Sequence, residues 1–152
     1  MAKFKFQPLL LDSDATTARL GDGAAGANPL SEADKGKFVK LVGDSQYGLC
    51  AAGDEIEGVV QTVDYPAKSD GFILGGVVRH NSGPVPRRLR VTFGAVLAIG
   101  DLVVAGAVTA RGTKLPGYPV VNKAAAAGKF NWRVVSLDGT TAIGQTGLIE
   151  AI

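Results

Sequence analysis

Turn-forming glycines recur along the whole chain, and short runs of β-branched residues lie between them. Glycine accounts for 21 of the 152 residues, about twice its usual share of ~7%. Valine, isoleucine and threonine together supply 32 residues. A chain of this kind favours many short strands that are joined by tight turns.

Nine runs in the sequence have the composition of strands. They are residues 38–42, 47–51, 57–65, 71–79, 88–93, 102–110, 119–121, 132–137 and 141–149. We therefore predict an all-β fold, a single small sandwich or barrel-like domain of about eight or nine short strands. At most one or two helical turns are expected, one at 31–34, where Ser31 is placed to cap the turn, and one at 124–128.

The first 34 residues differ in composition from the rest. Residues 12–17 and 21–29 are small, polar and aperiodic, and such stretches bury little apolar surface. Apolar side chains nevertheless stand at the front of the chain: Phe4, Phe6, Leu9, Leu10 and Leu11. We predict an extended arm at 1–34 and a β-rich domain at 35–152, the arm either docking on a neighbour or forming a first strand on its own core.

Charge and cysteine content narrow the expected partners and compartment. The net charge of +2 is too small to indicate nucleic acid binding. The longest apolar stretch, 94–108, contains Asp101 and is shorter than the ~20 residues that cross a bilayer. The lone Cys50 is typical of a reducing compartment. We expect a protein made in a cytoplasm, with neither a nucleic acid nor a membrane partner.

Catalytic and cofactor motifs are weak in this sequence. Residues 21–26 match G-x-G-x-x-G, but Pro29 follows and no helical period continues, as a dinucleotide site requires. His80 and Cys50 are the only residues of their types, so a dyad between them is left open by spacing alone. Paired carboxylates of the glycosidase kind carry no sequence signature and also remain open. We expect no enzyme and no catalytic, cofactor-binding or metal site.

Four arginines form the one basic cluster: Arg79, Arg87, Arg88 and Arg90. In 88–93 the apolar residues alternate with Arg88, Arg90 and Thr92, which places both arginines on one strand face. The cluster indicates an electrostatic contact with an acidic protein surface. The alternative is a solvated face whose arginine stems cover apolar surface.

Two segments share a turn that leads into a strand. Residues 52–60 and 99–108 both carry Gly-Asp before an apolar run. Glycine permits a positive φ and aspartate bonds its own backbone. Two copies do not establish a repeat architecture, which needs at least three.

Residues 30–41, 52–60 and above all 97–106 resemble capsid decoration, or cement, proteins of tailed bacteriophages. The resemblance covers about residues 30–150. It implies a small β-rich protein without catalytic activity on the outer surface of a phage head. Its implied partners are the major capsid protein and other copies of itself, with a homotrimer favoured and a dimer as the alternative. The family often uses an N-terminal arm to reach a neighbouring capsid subunit.

The resemblance leads to a specific expectation of function. We expect a structural virion protein that binds the outer surface of an assembled capsid and cements adjoining capsomers. The arm residues and the arginine cluster are the expected contacts. The alternative is a carbohydrate- or receptor-binding β-module on the virion, which would require exposed aromatic rings among Trp132, Tyr47, Tyr65 and Tyr118.

Overall fold

A computed structural model describes residues 15–23, 27–64, 73–81 and 87–152 of the chain. The described residues are built almost entirely from strands and connecting turns, with one 3₁₀ turn at Glu32–Asp34. The strands are β1 (Ala15–Asp22), β2 (Asn28–Pro29), β3 (Phe38–Gly43), β4 (Gln46–Leu49), β5 (Gly58–Val63), β6 (Ile73–Arg79), β7 (Arg88–Phe93), β8 (Leu102–Ala105), β9 (Val120–Lys123), β10 (Trp132–Leu137) and β11 (Thr146–Ala151). The predicted all-β, barrel-like class is confirmed.

The first six strands form one sheet that closes on itself. Its order is β2-β1-β4-β3-β5-β6, and β1 also pairs with β6. The β1–β4 pair is parallel, whereas the other pairs of this sheet are antiparallel. Strands β1, β4, β3, β5 and β6 therefore make a five-stranded ring, which we call the first barrel, and β2 is attached to its outside edge through β1.

The last five strands form a second closed barrel in the order β10-β11-β7-β9-β8. Its β7–β9 pair is parallel, and its other four pairs are antiparallel. In both barrels, then, the first strand runs parallel to the third and antiparallel to the fifth, and the second strand lies between the third and the fourth. The two barrels have the same topology.

Each barrel has its own cluster of buried side chains. The first core contains only residues of the first barrel and its connections, among them Leu20, Val39 and Val77. The second core also includes three residues from the first half of the chain: Phe38, Cys50 and Ile56. The indole Nε1 of Trp132, which is buried, donates a hydrogen bond to the carbonyl of Ile56 at 2.9 Å. The barrels are thus joined through the second core.

All nine predicted strand runs correspond to strands, β3 to β11. The bounds of β7 and β10 are the predicted ones. In β7 the side chains of Val91 and Phe93 are buried and those of Arg88 and Arg90 exposed, as the alternation predicts. The turn at 31–34 is confirmed, and both the backbone N–H and the hydroxyl of Ser31 donate to the Asp34 carboxylate. No helix forms at 124–128.

The described part of the predicted arm at 1–34 contains β1, β2 and the 3₁₀ turn. Residues 15–22 have no apolar alternation, yet β1 pairs with β4 on one side and with β6 on the other. Backbone hydrogen bonds to two distant strands, together with the buried Leu20, place β1 in the ring. The arm residues Phe4, Phe6, Leu9, Leu10 and Leu11 lie outside the described residues.

The turn that recurs in the sequence has a shared geometry. The N–H of Ala51 donates to the Asp54 carboxylate at 2.6 Å, and the N–H of Ala98 donates to that of Asp101 at 2.9 Å. Gly53 and Gly100, just before these aspartates, have φ values of 91° and 89°, which only glycine adopts easily. The turn at Asp54 precedes β5, the fourth strand of the first barrel. The turn at Asp101 precedes β8, the second strand of the second barrel. These two turns therefore do not occupy equivalent positions in the two barrels.

Two further turns of this kind complete the pattern. Asp34 accepts from the N–H of Ser31 before β3, and Asn131 accepts from the N–H of Gly128 at 2.7 Å before β10. In each barrel, therefore, one such turn precedes the second strand and another precedes the fourth. Side-chain caps of this kind satisfy backbone donors where a strand begins.

Candidate binding surface

The outward face of β7 is basic, but acidic side chains border it. Arg88 lies 3.8 Å from the carboxylate of Glu150 on β11. Arg90 forms an ion pair with Asp138, and its guanidinium also lies 5.7 Å from the centre of the Tyr118 ring. The sequence places no acid within the arginine cluster, whereas the fold brings two acids to it. Exposed pairs of this kind contribute little to stability.

An open depression of about 330 Å³ lies where the two barrels meet beside β7. Its apolar lining comes from half-buried side chains of three strands, and cations stand among them. The residues are Val59, Val78, Leu89, Lys35, Arg87 and Arg88. Two of these cations already face an acid of the chain, because Lys35 Nζ pairs with Glu32 at 2.7 Å and Arg88 lies 3.8 Å from Glu150. An apolar depression lined with cations suits a protein segment that is itself apolar and flanked by acidic residues. We call it the basic depression.

The predicted arginine cluster is divided by the fold. Arg87 and Arg88 line the basic depression. Arg90 lies further along β7 on the same face as Arg88. Arg79, at the end of β6, lines a separate depression of about 230 Å³ together with Leu41 and Tyr47. The structure thus brings two of the four predicted residues to one site.

The lone histidine and the lone cysteine both have structural partners. His80 Nε2 lies 2.7 Å from the carbonyl oxygen of Asn131, and the ring packs edge-on against Trp132 and Phe130. Cys50 is buried, and its Sγ lies 3.6 Å from the carbonyl oxygen of Glu55. Burial raises the pKa of the Cys50 thiol to about 12, so the thiol stays protonated near neutral pH and is a poor nucleophile.

Asp34 sits in a buried ion pair that joins the barrels. Its carboxylate accepts from Lys37 Nζ at 2.6 Å and from the N–H of Gly112 at 2.9 Å, and Lys37 also donates to the carbonyl of Ala110. Burial favours the neutral acid, but the bonds from Lys37, Ser31 and Gly112 outweigh it and lower the pKa of Asp34.

Asp54 and Asp101 hold their turns in a similar way. Burial opposes ionisation of Asp54, but the hydrogen bonds from Lys40 and from the N–H of Ala51 prevail and lower its pKa. The pKa of Asp101 is lowered chiefly by the N–H of Ala98 and then by Lys123. These carboxylates fix backbone turns, which is a structural use.

The glycine motif and the aromatic residues singled out in the sequence do not come together to form a site in the described part of the chain. The G-x-G-x-x-G match begins within β1 at Gly21, and the next described element after it is the strand β2, where a dinucleotide site would need a helix. Trp132 and Tyr47 are buried, Tyr118 is exposed, and Tyr65 lies outside the described residues. A sugar platform needs several exposed rings, and the described part of the chain provides one tyrosine.

Within the described ranges, no three or more His, Cys, Asp or Glu side chains are grouped so that they could hold a metal ion. No helix in this part of the chain has the length and apolarity needed to cross a membrane. No protein-family model matches the chain, and neither the curated proteins nor the solved structures contain a match to it.

One exposed feature was not recognised from the sequence. Val96, Ile99 and Ile143 are large, apolar and exposed, and they lie on two loops at one end of the second barrel. The signal was present, since 94–100 and 139–145 carry no charged residue. The sequence does not show that the two loops lie side by side.

Proposed function

We propose that this protein is a structural virion protein that binds the outer surface of an assembled phage capsid and stabilises adjoining capsomers. The observation that carries the proposal is the basic depression, whose apolar lining and cations Lys35, Arg87 and Arg88 suit an acidic and apolar segment of a protein partner. The resemblance of 30–41, 52–60 and 97–106 to decoration proteins supports the same function. The proposed place of action is the capsid exterior, after synthesis in the host cytoplasm.

The way the chain uses its reactive side chains agrees with a binding role. Cys50 is buried and protonated, His80 packs between aromatic rings, and the aspartates of the turns are paired with lysines. Two barrels joined by a common core offer a rigid body, and rigidity limits the entropy lost on binding. Repeated contacts with a symmetric shell would add avidity to each weak contact.

The test is binding to phage heads that lack the protein. Purified protein is mixed with expanded and unexpanded heads, sedimented, and viewed by negative-stain microscopy. We expect saturable binding to one head form and a higher temperature for its disruption. An R87S/R88S variant should associate about tenfold more slowly at low salt, because charges of this kind act mainly on the association rate.

Arg133→Ser is the matched control, since Arg133 is an exposed arginine on β10 of the same barrel. It should leave association unchanged. Absence of binding to both head forms would overturn the proposed function. Equal effects of the control and the R87S/R88S variant would remove the basic depression from it.

A further inference from the structure

The first described residue of the chain lies beside the basic depression. Ala15, where β1 begins, pairs with Val78 of β6, and Val78 pairs in turn with Val59 of β5. Val78 and Val59 both line the basic depression. Paired residues of neighbouring strands direct their side chains to the same face of a sheet, so Ala15 faces outward with the two valines. The residues that precede Ala15 in the chain therefore begin next to this lining.

The segment that precedes Ala15 combines apolar and acidic side chains in one short run. Leucines at 9–11 are followed by Asp12 and Asp14, and we call residues 9–14 the leucine–aspartate segment. Neighbouring strands lie about 4.8 Å apart, so Val59 is about 10 Å from Ala15. An extended chain advances about 3.3 Å per residue, so the three leucines can reach about 13 to 20 Å from Ala15. They can therefore reach the lining of the basic depression.

The charges of the basic depression complement those of this segment. Lys35 already pairs with Glu32, and Arg88 lies 3.8 Å from Glu150, but the side chains of Lys35 and Arg88 are 43% and 62% exposed. Ion pairs that are exposed to this extent contribute little, so a cation can exchange or share its partner at small cost. Asp12 and Asp14 can therefore approach these cations while the leucines cover the apolar lining.

A second depression also borders the start of β1 but suits the segment less well. It has a volume of about 230 Å³, and its lining includes the hydroxyl side chains of Thr16, Thr17 and Ser45. Its described lining presents one cation, Arg79, where that of the basic depression presents three. Leucines followed by two acids match an apolar lining with several cations better than a lining rich in hydroxyl groups.

We propose that the leucine–aspartate segment packs in the basic depression of its own chain when no capsid is present. The leucines lie on the apolar lining, and Asp12 and Asp14 lie beside the cations. A capsid segment must then displace these residues, so the apparent affinity for the capsid falls with the fraction of molecules whose depression is open. The packing itself is independent of capsid binding, whereas this effect on affinity rests on the proposed function.

The first test places a nitroxide label ahead of the segment in the full chain, without phage heads. Cys50 is buried and is the one cysteine of the sequence, so Gln7→Cys supplies the thiol that reacts. The label broadens the NMR signals of nearby amides. We expect broadening at Leu89 of β7, across the basic depression, and none at Leu41, which lines the second depression.

A pair of charge variants tests why the segment packs there. D12N/D14N should reduce the broadening at Leu89 at least about twofold, because it removes both carboxylates from the cations. D44N/D64N is the matched control, since Asp44 and Asp64 are exposed acids outside the basic depression and the change in net charge is the same. The packing is overturned if Leu89 keeps its full signal, if Leu41 is broadened instead, or if both variants reduce the broadening equally.

The second test measures the same two variants, unlabelled, with phage heads. D12N/D14N should associate about two- to tenfold faster than D44N/D64N, because more of its depressions are open. Equal association rates would overturn the effect of the segment on capsid binding. If neither variant nor the unchanged protein binds heads, the proposed function fails, while the result with the label still decides whether the segment packs in the depression.

Discussion

The two barrels share a topology but differ in what completes their cores. The first core is made from residues of the first barrel and its connections. The second core takes Phe38, Cys50 and Ile56 from the first half of the chain, and Trp132 donates its hydrogen bond to Ile56. The comparison shows that one strand order can give a self-contained unit and a dependent one. We therefore expect the second barrel to need the first, while the first needs the second less.

The surfaces of the two barrels also differ. The opening strand of the first barrel, β1, exposes Thr16 and Thr17, whereas the opening strand of the second, β7, exposes Arg88 and Arg90. The basic depression and the exposed side chains of Val96, Ile99 and Ile143 both draw on the second barrel. Function depends on such local sites, since topology alone does not determine it.

The largest expected effect comes from a substitution in the second core. Trp132→Ala removes the largest fully buried side chain and should lower the free energy of unfolding by about 3–5 kcal/mol. Urea unfolding measures the loss, and amide hydrogen exchange locates it. Exchange should rise mainly in the second barrel and leave the Val77 amide of the first protected.

Leu20→Ala is the reciprocal variant in the first core, where Leu20 is fully buried. It should cost about 2–5 kcal/mol and speed exchange in both barrels, because the second depends on the first. If Trp132→Ala opens both barrels equally, the proposed dependence of one barrel on the other is wrong.

The buried ion pair gives the next effect. Lys37→Met leaves Asp34 buried without its cation and should cost about 3 kcal/mol. The comparison variant in the second barrel is Lys123→Met, which breaks an ion pair with Asp101 in which the lysine is largely exposed. It should change the urea midpoint little. Similar losses of stability in both variants would show that the buried Asp34–Lys37 pair contributes no more than the exposed one.

Acid should destabilise the protein through the turn aspartates. The pKa values of Asp34, Asp54 and Asp101 are lowered in the folded chain. Their stabilisation is therefore present above the ordinary carboxyl pKa of ~3.9 and is lost as the pH falls through the folded values. Urea midpoints measured from pH 7 downwards should fall below about pH 4. In the Asp34→Asn variant the urea midpoint should decrease less as the pH falls. An equal decrease in the variant and the unchanged protein would contradict the contribution of Asp34 to this pH dependence.

The smallest effect concerns the basic face of β7. Changing Arg88 and Arg90 to Ser should alter the free energy of unfolding by no more than about 0.5 kcal/mol, because both side chains are exposed. The same variant should slow association with an acidic partner and weaken its salt dependence. Loss of affinity for duplex DNA, with a shallower salt slope, would instead indicate a nucleic acid partner.

The sequence predicted local features well where the side chains themselves carry the pattern. β7 and β10 were found with their bounds, because apolar residues repeat along them with a strand period. β1 was missed because residues 15–22 lack that period, and only pairing with β4 and β6 makes them a strand. The outward direction of Arg88 and Arg90 was likewise predictable.

The sites that join distant parts of the chain were not predictable. The basic depression combines Lys35 and Val59 with Arg88, and no spacing rule brings these residues together. The acids beside the arginines come from β11 and from the loop before it. The shared topology was also hidden, because the turns with similar sequences precede strands that are not equivalent. Tertiary pairing decides each of these features.

The position of β11 has a consequence for the nascent chain. β11 pairs with both β7 and β10, so the second barrel stays open until the ribosome has delivered its fifth strand, whereas the first barrel can close much earlier. In the interval β7 presents an unpaired edge to other emerging chains. Arg88 and Arg90 stand on that edge, and their like charges discourage pairing between two copies. The arginines to which we assign a binding role in the finished molecule thus also act as gatekeepers during synthesis.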